Sequence, residues 1–138
     1  MKIFLPDMVQ NGFCRVLNVS STASYIPVPK MSVYAATKAY LRSLSKTINL
    51  ELEKTDVSVT ALCPGATSTA FPYKAKMEHT LLYRLFVMTP NDVAAIGYKA
   101  LIRKKPYIVA GRYNKILVLF SKLFPAFIVN SATKRMLR

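Results

Sequence analysis

At 138 residues the chain is long enough for one domain with a real hydrophobic core and too short for two of ordinary size. Hydrophobic residues make up 52% of it and charged residues 19%, a balance that excludes a disordered polypeptide. The formal charge of +14 is unevenly spread, because ten of the twenty basic residues fall in 99–138 and no acidic residue follows Asp92. A tail of that kind attracts phosphates, nucleic acid or an anionic membrane. No nucleic-acid motif or set of interleaved stacking aromatics accompanies the charge, so no nucleic-acid partner is expected. A basic edge facing a phosphorylated ligand is the preferred reading, with peripheral membrane contact through the C-terminal tail as the second.

The two cysteines, Cys14 and Cys63, sit in apolar runs and are too few for a disulfide framework, which suits reduced core residues of a cytoplasmic protein. The opening apolar stretch is broken by Pro6 and Asp7, unlike a signal peptide. The longest apolar candidate, 116–129, is interrupted by Ser121, Lys122 and Pro125, so no membrane-spanning helix is expected.

In chain order, 2–10 reads as the end of a helix, stopped at Asn11-Gly12. Residues 15–19 (Arg-Val-Leu-Asn-Val) form a short apolar run that fits a buried strand, and 20–30, with serines and two prolines, is a loop. The clearest helix is 32–54, free of proline and glycine, with Ser32 as its N-cap. Its stripe of Tyr40, Leu41, Leu44, Ile48 and Leu52 predicts the buried face. Residues 57–62 alternate as a strand and run into the tight loop Cys63-Pro64-Gly65.

Periodicity is weak through 66–88. Thr89-Pro90-Asn91-Asp92 is a helix start, with threonine as cap and proline in the first turn, and the helix is expected to reach 104. Its last turn would then hold Arg103, Lys104 and Lys105 at the negative end of the helix dipole. Residues 106–110 read as a third strand closed by Gly111, and 114–137 as two helical pieces divided at Pro125. Within them Phe120, Leu123, Phe124, Phe127 and Ile128 form a dense apolar patch, read first as cover for the core or a pocket. The lone His79 has no cysteine or acidic cluster near it and reads as a surface residue, so no metal site is expected.

Strands alternating with helices imply a parallel sheet, and ligands of such sheets bind at the carboxyl ends of the strands. Ser20-Ser21 and Pro64-Gly65 both fall at predicted strand ends, on one rim. Tyr34 and Lys38, four residues apart, share one helix face. An ammonium near a phenol favours the phenolate, and a tyrosine tuned that way exchanges a proton with an alcohol or ketone oxygen. Ser21 offers a hydroxyl to the same oxygen.

The set Asn18-Val19-Ser20-Ser21, Tyr34-Ala35-Ala36-Thr37-Lys38 and Pro64-Gly65-Ala66-Thr67-Ser68-Thr69 resembles the catalytic half of the short-chain dehydrogenases/reductases. The phrase Ala61-Leu62-Cys63-Pro64-Gly65 is similar to that of bacterial ketoacyl-reductase-like members. The resemblance implies an α/β fold: the C-terminal half of a Rossmann-like doubly wound parallel sheet, with three strands and flanking helices. It divides the chain into a Ser/Tyr/Lys segment (1–65), a segment that closes over substrate (66–88), and a C-terminal helix, strand and basic apolar tail (89–138). In the closing segment Met77, Leu81, Leu82 and Phe86 hint at an apolar substrate.

The resemblance further implies an NAD(P)-dependent oxidoreductase that interconverts carbonyl and alcohol on a small apolar ketone or alcohol. Tyr34 would be the general acid/base, with Lys38 beside it and on the nicotinamide ribose, and Ser21 would hold the substrate oxygen. Pro64, Gly65, Thr67 and Thr69 would contact the cofactor NAD(P)(H), NADP slightly favoured. A homo-oligomer through helix 32–54 is expected with it.

The glycines at 12, 65, 97 and 111 cannot form the family's glycine-rich pyrophosphate turn. The helix asparagine of the family's proton relay has no counterpart either. A truncated chain is therefore expected, with weak dinucleotide binding alone and an unpaired edge on the first strand. The alternative is an inactive fragment or association module without cofactor.

Overall fold

Strand β2 (Val57–Cys63) is the axis of the fold, buried along its whole length. In the computed structural model, which describes residues 3–70, 79–81, 83 and 86–136, it lies between two parallel neighbours. On one side β1 (Cys14–Val19) pairs from Cys14 against Val57 to Val19 against Leu62, and on the other β3 (Tyr107–Val109) pairs from Ala61 onward. Among the described residues the sheet order is β1-β2-β3.

Alternation along β2 sends successive side chains to opposite faces. Val57 and Val59 pack with Ile48 and Leu52 of helix α2 (Ser32–Glu51), joined by Leu5 and Met8 of helix α1 (Leu5–Gln10). Leu62 points the other way, to Val93 and Ala110, beneath helix α3 (Pro90–Ile102). Helix α3 comes so close that a Cβ on Gly97 would lie 2.8 Å from Leu62 Cδ2. Helix α4 (Arg112–Leu123) lays Val118 on Cys63 and Val109, and helix α5 (Ala126–Met136) follows after Pro125.

Several boundaries differ from the sequence reading. Ser32 is the first helical residue of α2 rather than its cap; Met31 holds that place and offers no side-chain bond, with Lys30 before it at φ +66°. The helix stops at Glu51, where Leu52 turns into the core and Thr55 Oγ1 donates to its carbonyl. Tyr40, expected on the buried stripe, is 67% exposed, because the sheet takes the face of Leu44 and Ile48 instead.

The start of α3 is as expected: Thr89 Oγ1 accepts from the Asp92 amide at 3.1 Å. Its end is two residues earlier. Lys104 adopts φ +51° while its amide donates to Leu101 and that of Lys105 to Ala100, a Schellman closure with lysine where glycine is usual. Arg103, Lys104 and Lys105 therefore lie in the cap, and Lys104 pairs with Asp56 on the loop before β2.

The apolar patch of the tail divides: Phe120 and Ile128 are half-buried, whereas Leu123, Phe124 and Phe127 are exposed. Of the closing segment, Met77 and Leu82 lie outside the described residues. Leu81 is exposed, and Phe86 packs its ring 5.2 Å from that of Tyr113.

Candidate active site

Hydrogen bonding between β1 and β2 continues past their ends. The Ser20 amide donates to Leu62 O at 2.7 Å and the Thr22 amide to Pro64 O at 2.8 Å. This zipper holds Ser20-Ser21 beside Pro64-Gly65 at the carboxyl rim of the sheet. The short 3-10 turn Thr22–Ser24 then fixes Ser21 from both sides, with Ser21 Oγ accepting from the Ala23 amide (3.1 Å) and Ser21 O from Ser24 Oγ (2.6 Å).

Two bonds lock the N-terminal half of α2 to that rim. Ser20 Oγ donates to Lys38 O at 2.8 Å, and Lys38 Nζ donates to Val19 O, the last carbonyl of β1, also at 2.8 Å. The ammonium stands 5.6 Å from the centre of the Tyr34 ring. An ammonium carries three donors. The bond to Val19 uses one, so Lys38 links the strand end to the tyrosine with donor capacity left over.

On the β2 side, Thr67 Oγ1 donates to Gly65 O at 3.1 Å, and Thr69 lies one step farther out. A parallel bridge joins Thr67 to Met88; the Ser68 amide donates to Met88 O and the Met88 amide to Ala66 O. These bonds pin both feet of the connection between β2 and α3. Asn114, at 3% exposure, packs directly behind Gly65 and donates from Nδ2 to Ala110 O at 2.6 Å.

All seven residues singled out from the sequence line one cavity of about 310 Å³: Ser21, Tyr34, Lys38, Pro64, Gly65, Thr67 and Thr69. Its apolar wall includes Ile26, Val28 and Leu117. Sequence reasoning missed the loop residues Ile26, Val28 and Met31 and the contributors distant in sequence. Leu117 of α4 and Thr133 and Met136 of α5 bring the C-terminal helices into the wall, and Tyr83 comes from the connection. Burial, and Tyr34 beside it, push the Tyr83 phenol above its ordinary range. Only the inward period of α4 and α5 could have signalled the helical three; nothing local marks Tyr83.

Beneath the rim, Tyr25 is stacked against the Arg42 guanidinium at 4.0 Å and faces Lys122 at 5.4 Å. Burial and the neighbouring Cys63 push its phenol up to about 12, against the pull of Arg42. Burial also raises the Cys63 thiol, although Ser20, Tyr25 and Ser24 hydrogen-bond to it, so it is a structural thiol rather than a nucleophile. Among the described residues no cluster of His, Cys, Asp or Glu could hold a metal, and no helix is long and apolar enough to cross a membrane.

Comparison with known proteins matches residues 1–79 to the short chain dehydrogenase family model. The chain is 30% identical over 126 residues to the ketoacyl reductase HetN of Nostoc sp. (strain PCC 7120), covering 91% of this chain and 43% of that protein. Among solved structures, a short-chain dehydrogenase from Sphingobium yanoikuyae in complex with NADPH is 30% identical at a TM-score of 0.66, over 75% of this chain and 40% of that one. A 7beta-hydroxysteroid dehydrogenase superposes at a TM-score of 0.81 with 20% identity, over 96% of this chain and 52% of that one, which is likeness of fold. The chain thus spans about half the length of these relatives, or less.

Proposed function

The chain belongs to the short-chain dehydrogenase family, and from that premise we propose that its cavity is the proton-transfer and nicotinamide end of an NAD(P)-dependent oxidoreductase acting on a carbonyl/alcohol pair. One observation carries the reading. Ser21, Tyr34 and Lys38 share a single cavity with Pro64, Gly65, Thr67 and Thr69 at the carboxyl ends of parallel strands.

The residues present fit the nicotinamide end of the cofactor. Lys38 and the hydroxyls of Thr67 and Thr69 are donors suited to ribose and carboxamide oxygens, while apolar wall faces the ring. The glycines do not fit the pyrophosphate end, since none belongs to a glycine-rich turn. Turnover is therefore assigned to a complete dinucleotide site, whichever polypeptide supplies its other end. When bound, NAD(P)H supplies the hydride.

Tyr34 gives its phenolic proton to the carbonyl oxygen in reduction and takes it back in oxidation. Lys38, anchored on Val19 O, stands with its ammonium 5.6 Å from the centre of the Tyr34 ring and so orients the phenol toward the cavity. Ser21, with its oxygen held by the Ala23 amide, donates a hydrogen bond to the substrate oxygen and orients it. The apolar wall favours a small apolar ketone or alcohol, in keeping with the ketoacyl reductase named among the relatives. NADP is slightly preferred over NAD, as the basic surface and the NADPH-bound relative suggest. The Ser/Tyr/Lys segment is 1–65, the closing segment 66–88 and the wall-forming tail 89–138. Self-association is placed on the outer face of α2, where Val33 is 76% exposed with Tyr40 seven residues on.

The test is Tyr34→Phe in the protein as its source makes it, assayed by NAD(P)H oxidation against a panel of apolar ketones. Turnover should fall by about 100- to 10,000-fold with thermal stability unchanged. Wild-type turnover in the variant overturns the reading. Absence of cofactor binding in the wild-type protein favours the association module instead.

A further inference from the structure

Helix α4 is amphipathic in the wrong sense for a helix that only covers a core. Its inner face buries Asn114 and Val118. Its outer face carries Ile116, Leu119 and Leu123 in one ridge, 63%, 55% and 70% exposed. Past the Phe124-Pro125 corner, Phe127 opens α5 at 73% exposure and extends the ridge. An isolated exposed leucine needs no explanation, but a continuous ridge on the face away from the core does.

The surrounding charge is of one sign. Lys115 borders the ridge on α4, Lys134 lies seven residues from Phe127 on the exposed side of α5, and Arg112 and Arg135 are exposed nearby. No carboxylate among the described residues pairs with any of them, and the sequence has no acidic residue after Asp92.

We propose that the α4–α5 corner docks on an anionic lipid bilayer, with Ile116, Leu119, Leu123 and Phe127 in the acyl boundary and the flanking Lys and Arg side chains on lipid phosphates. An apolar ridge rimmed by cations, with no acidic residue on either helix, is complementary to such a surface. A second copy of the chain would instead set positive charge against positive charge. Nucleic acid would satisfy the cations and leave the ridge in water. Leu117, Thr133 and Met136, on the same two helices, line the cavity, so the docked elements are also its wall.

The experiment is co-sedimentation of the protein, as its source makes it, with vesicles of phosphatidylcholine alone or with about a third phosphatidylglycerol. Binding is expected only to the anionic vesicles, and it should fall when NaCl is raised from about 0.1 to about 0.5 M. Lys115→Gln/Lys134→Gln should weaken partitioning by about 25-fold, from about fivefold per cation. Ile116→Ser/Leu123→Ser should abolish it while leaving the melting curve unchanged. Equal binding to neutral vesicles, salt-independent binding, or partitioning unaffected by either pair of substitutions overturns the proposal. So does light scattering that shows an oligomer dispersed by Ile116→Ser/Leu123→Ser in a protein that never binds vesicles.

Discussion

Replacing Gly65 by alanine puts a methyl group where Asn114 already is. A Cβ at Gly65 would lie 2.3 Å from Asn114 Oδ1, 2.5 Å from Nδ2 and 2.6 Å from Cγ. The amide cannot swing aside cheaply, because it is buried and its Nδ2 is committed to Ala110 O. The backbone at Gly65 lies outside the left-handed region, so the cost is steric. Giving up the buried hydrogen bond costs about 1–3 kcal/mol. Overpacking adds about 1–3 kcal/mol, so Gly65→Ala should destabilise by about 2–6 kcal/mol in all. Asn114→Ala alone should cost about 1–3 kcal/mol by orphaning the Ala110 carbonyl. In the double variant the new methyl enters the space the amide has left, so the losses should fall short of their sum by at least about 1 kcal/mol. Urea unfolding of the four proteins measures this coupling. Losses that add to within about 0.5 kcal/mol would refute the claim that Asn114 is what requires glycine at 65.

Thr60 Oγ1 on β2 is fully buried and bonds to nothing among the described residues, so Thr60→Val should raise stability by about 1 kcal/mol. A lower melting temperature would show that the hydroxyl has a partner. The Tyr25 phenol titrates near 12 in the fold and near 10 when unfolded, so its contribution is intact below pH 10 and fades as pH climbs through 12. Tyr25→Phe should lose less stability over that interval than wild type, and parallel alkaline curves would contradict the assignment. Asp56 is held below the ordinary carboxylate range by the hydrogen bond from Lys104 and then by its charge, so that contribution is present above the range and lost as pH falls through it. Lys104→Met should flatten that part of the acid limb in unfolding measurements at low salt, and an unchanged limb would count against the pair. Because the carboxylate is exposed, the effect should shrink as salt is added.

The elements that local chemistry specifies were legible before the structure. The valine-rich runs at 15–19 and 57–62 form strands, and Thr89-Pro90 caps a helix because one side chain satisfies an orphaned amide nearby. The candidate site's convergence on one cavity was legible for a related reason: its residues sit at strand ends or one helical turn apart, spacings that the backbone fixes. What escaped depends on contacts distant in sequence. Periodicity marked Tyr40 as part of an apolar stripe, yet the sheet determines which edge of that stripe is covered. Nothing in the local sequence marks Asn114, and only the approach of the Pro64-Gly65 loop gives it a role. The patch of Phe120, Leu123, Phe124, Phe127 and Ile128 is apolar enough for a core, but the inner face of α4 is filled by Asn114 and Val118, which leaves Leu123, Phe124 and Phe127 exposed.

The central claim is that the cavity at the carboxyl ends of β1 and β2 receives the nicotinamide end of the cofactor. Reduced nicotinamide mononucleotide, which lacks the adenosine half, probes that end alone, and amide chemical-shift mapping reads where it binds. The account predicts saturable shifts at Ser21, Gly65, Thr67 and Thr69, with the Lys38 side chain responding. Shifts confined to the basic residues of α4 and α5 would show phosphate attraction without a nicotinamide site, and would contradict it.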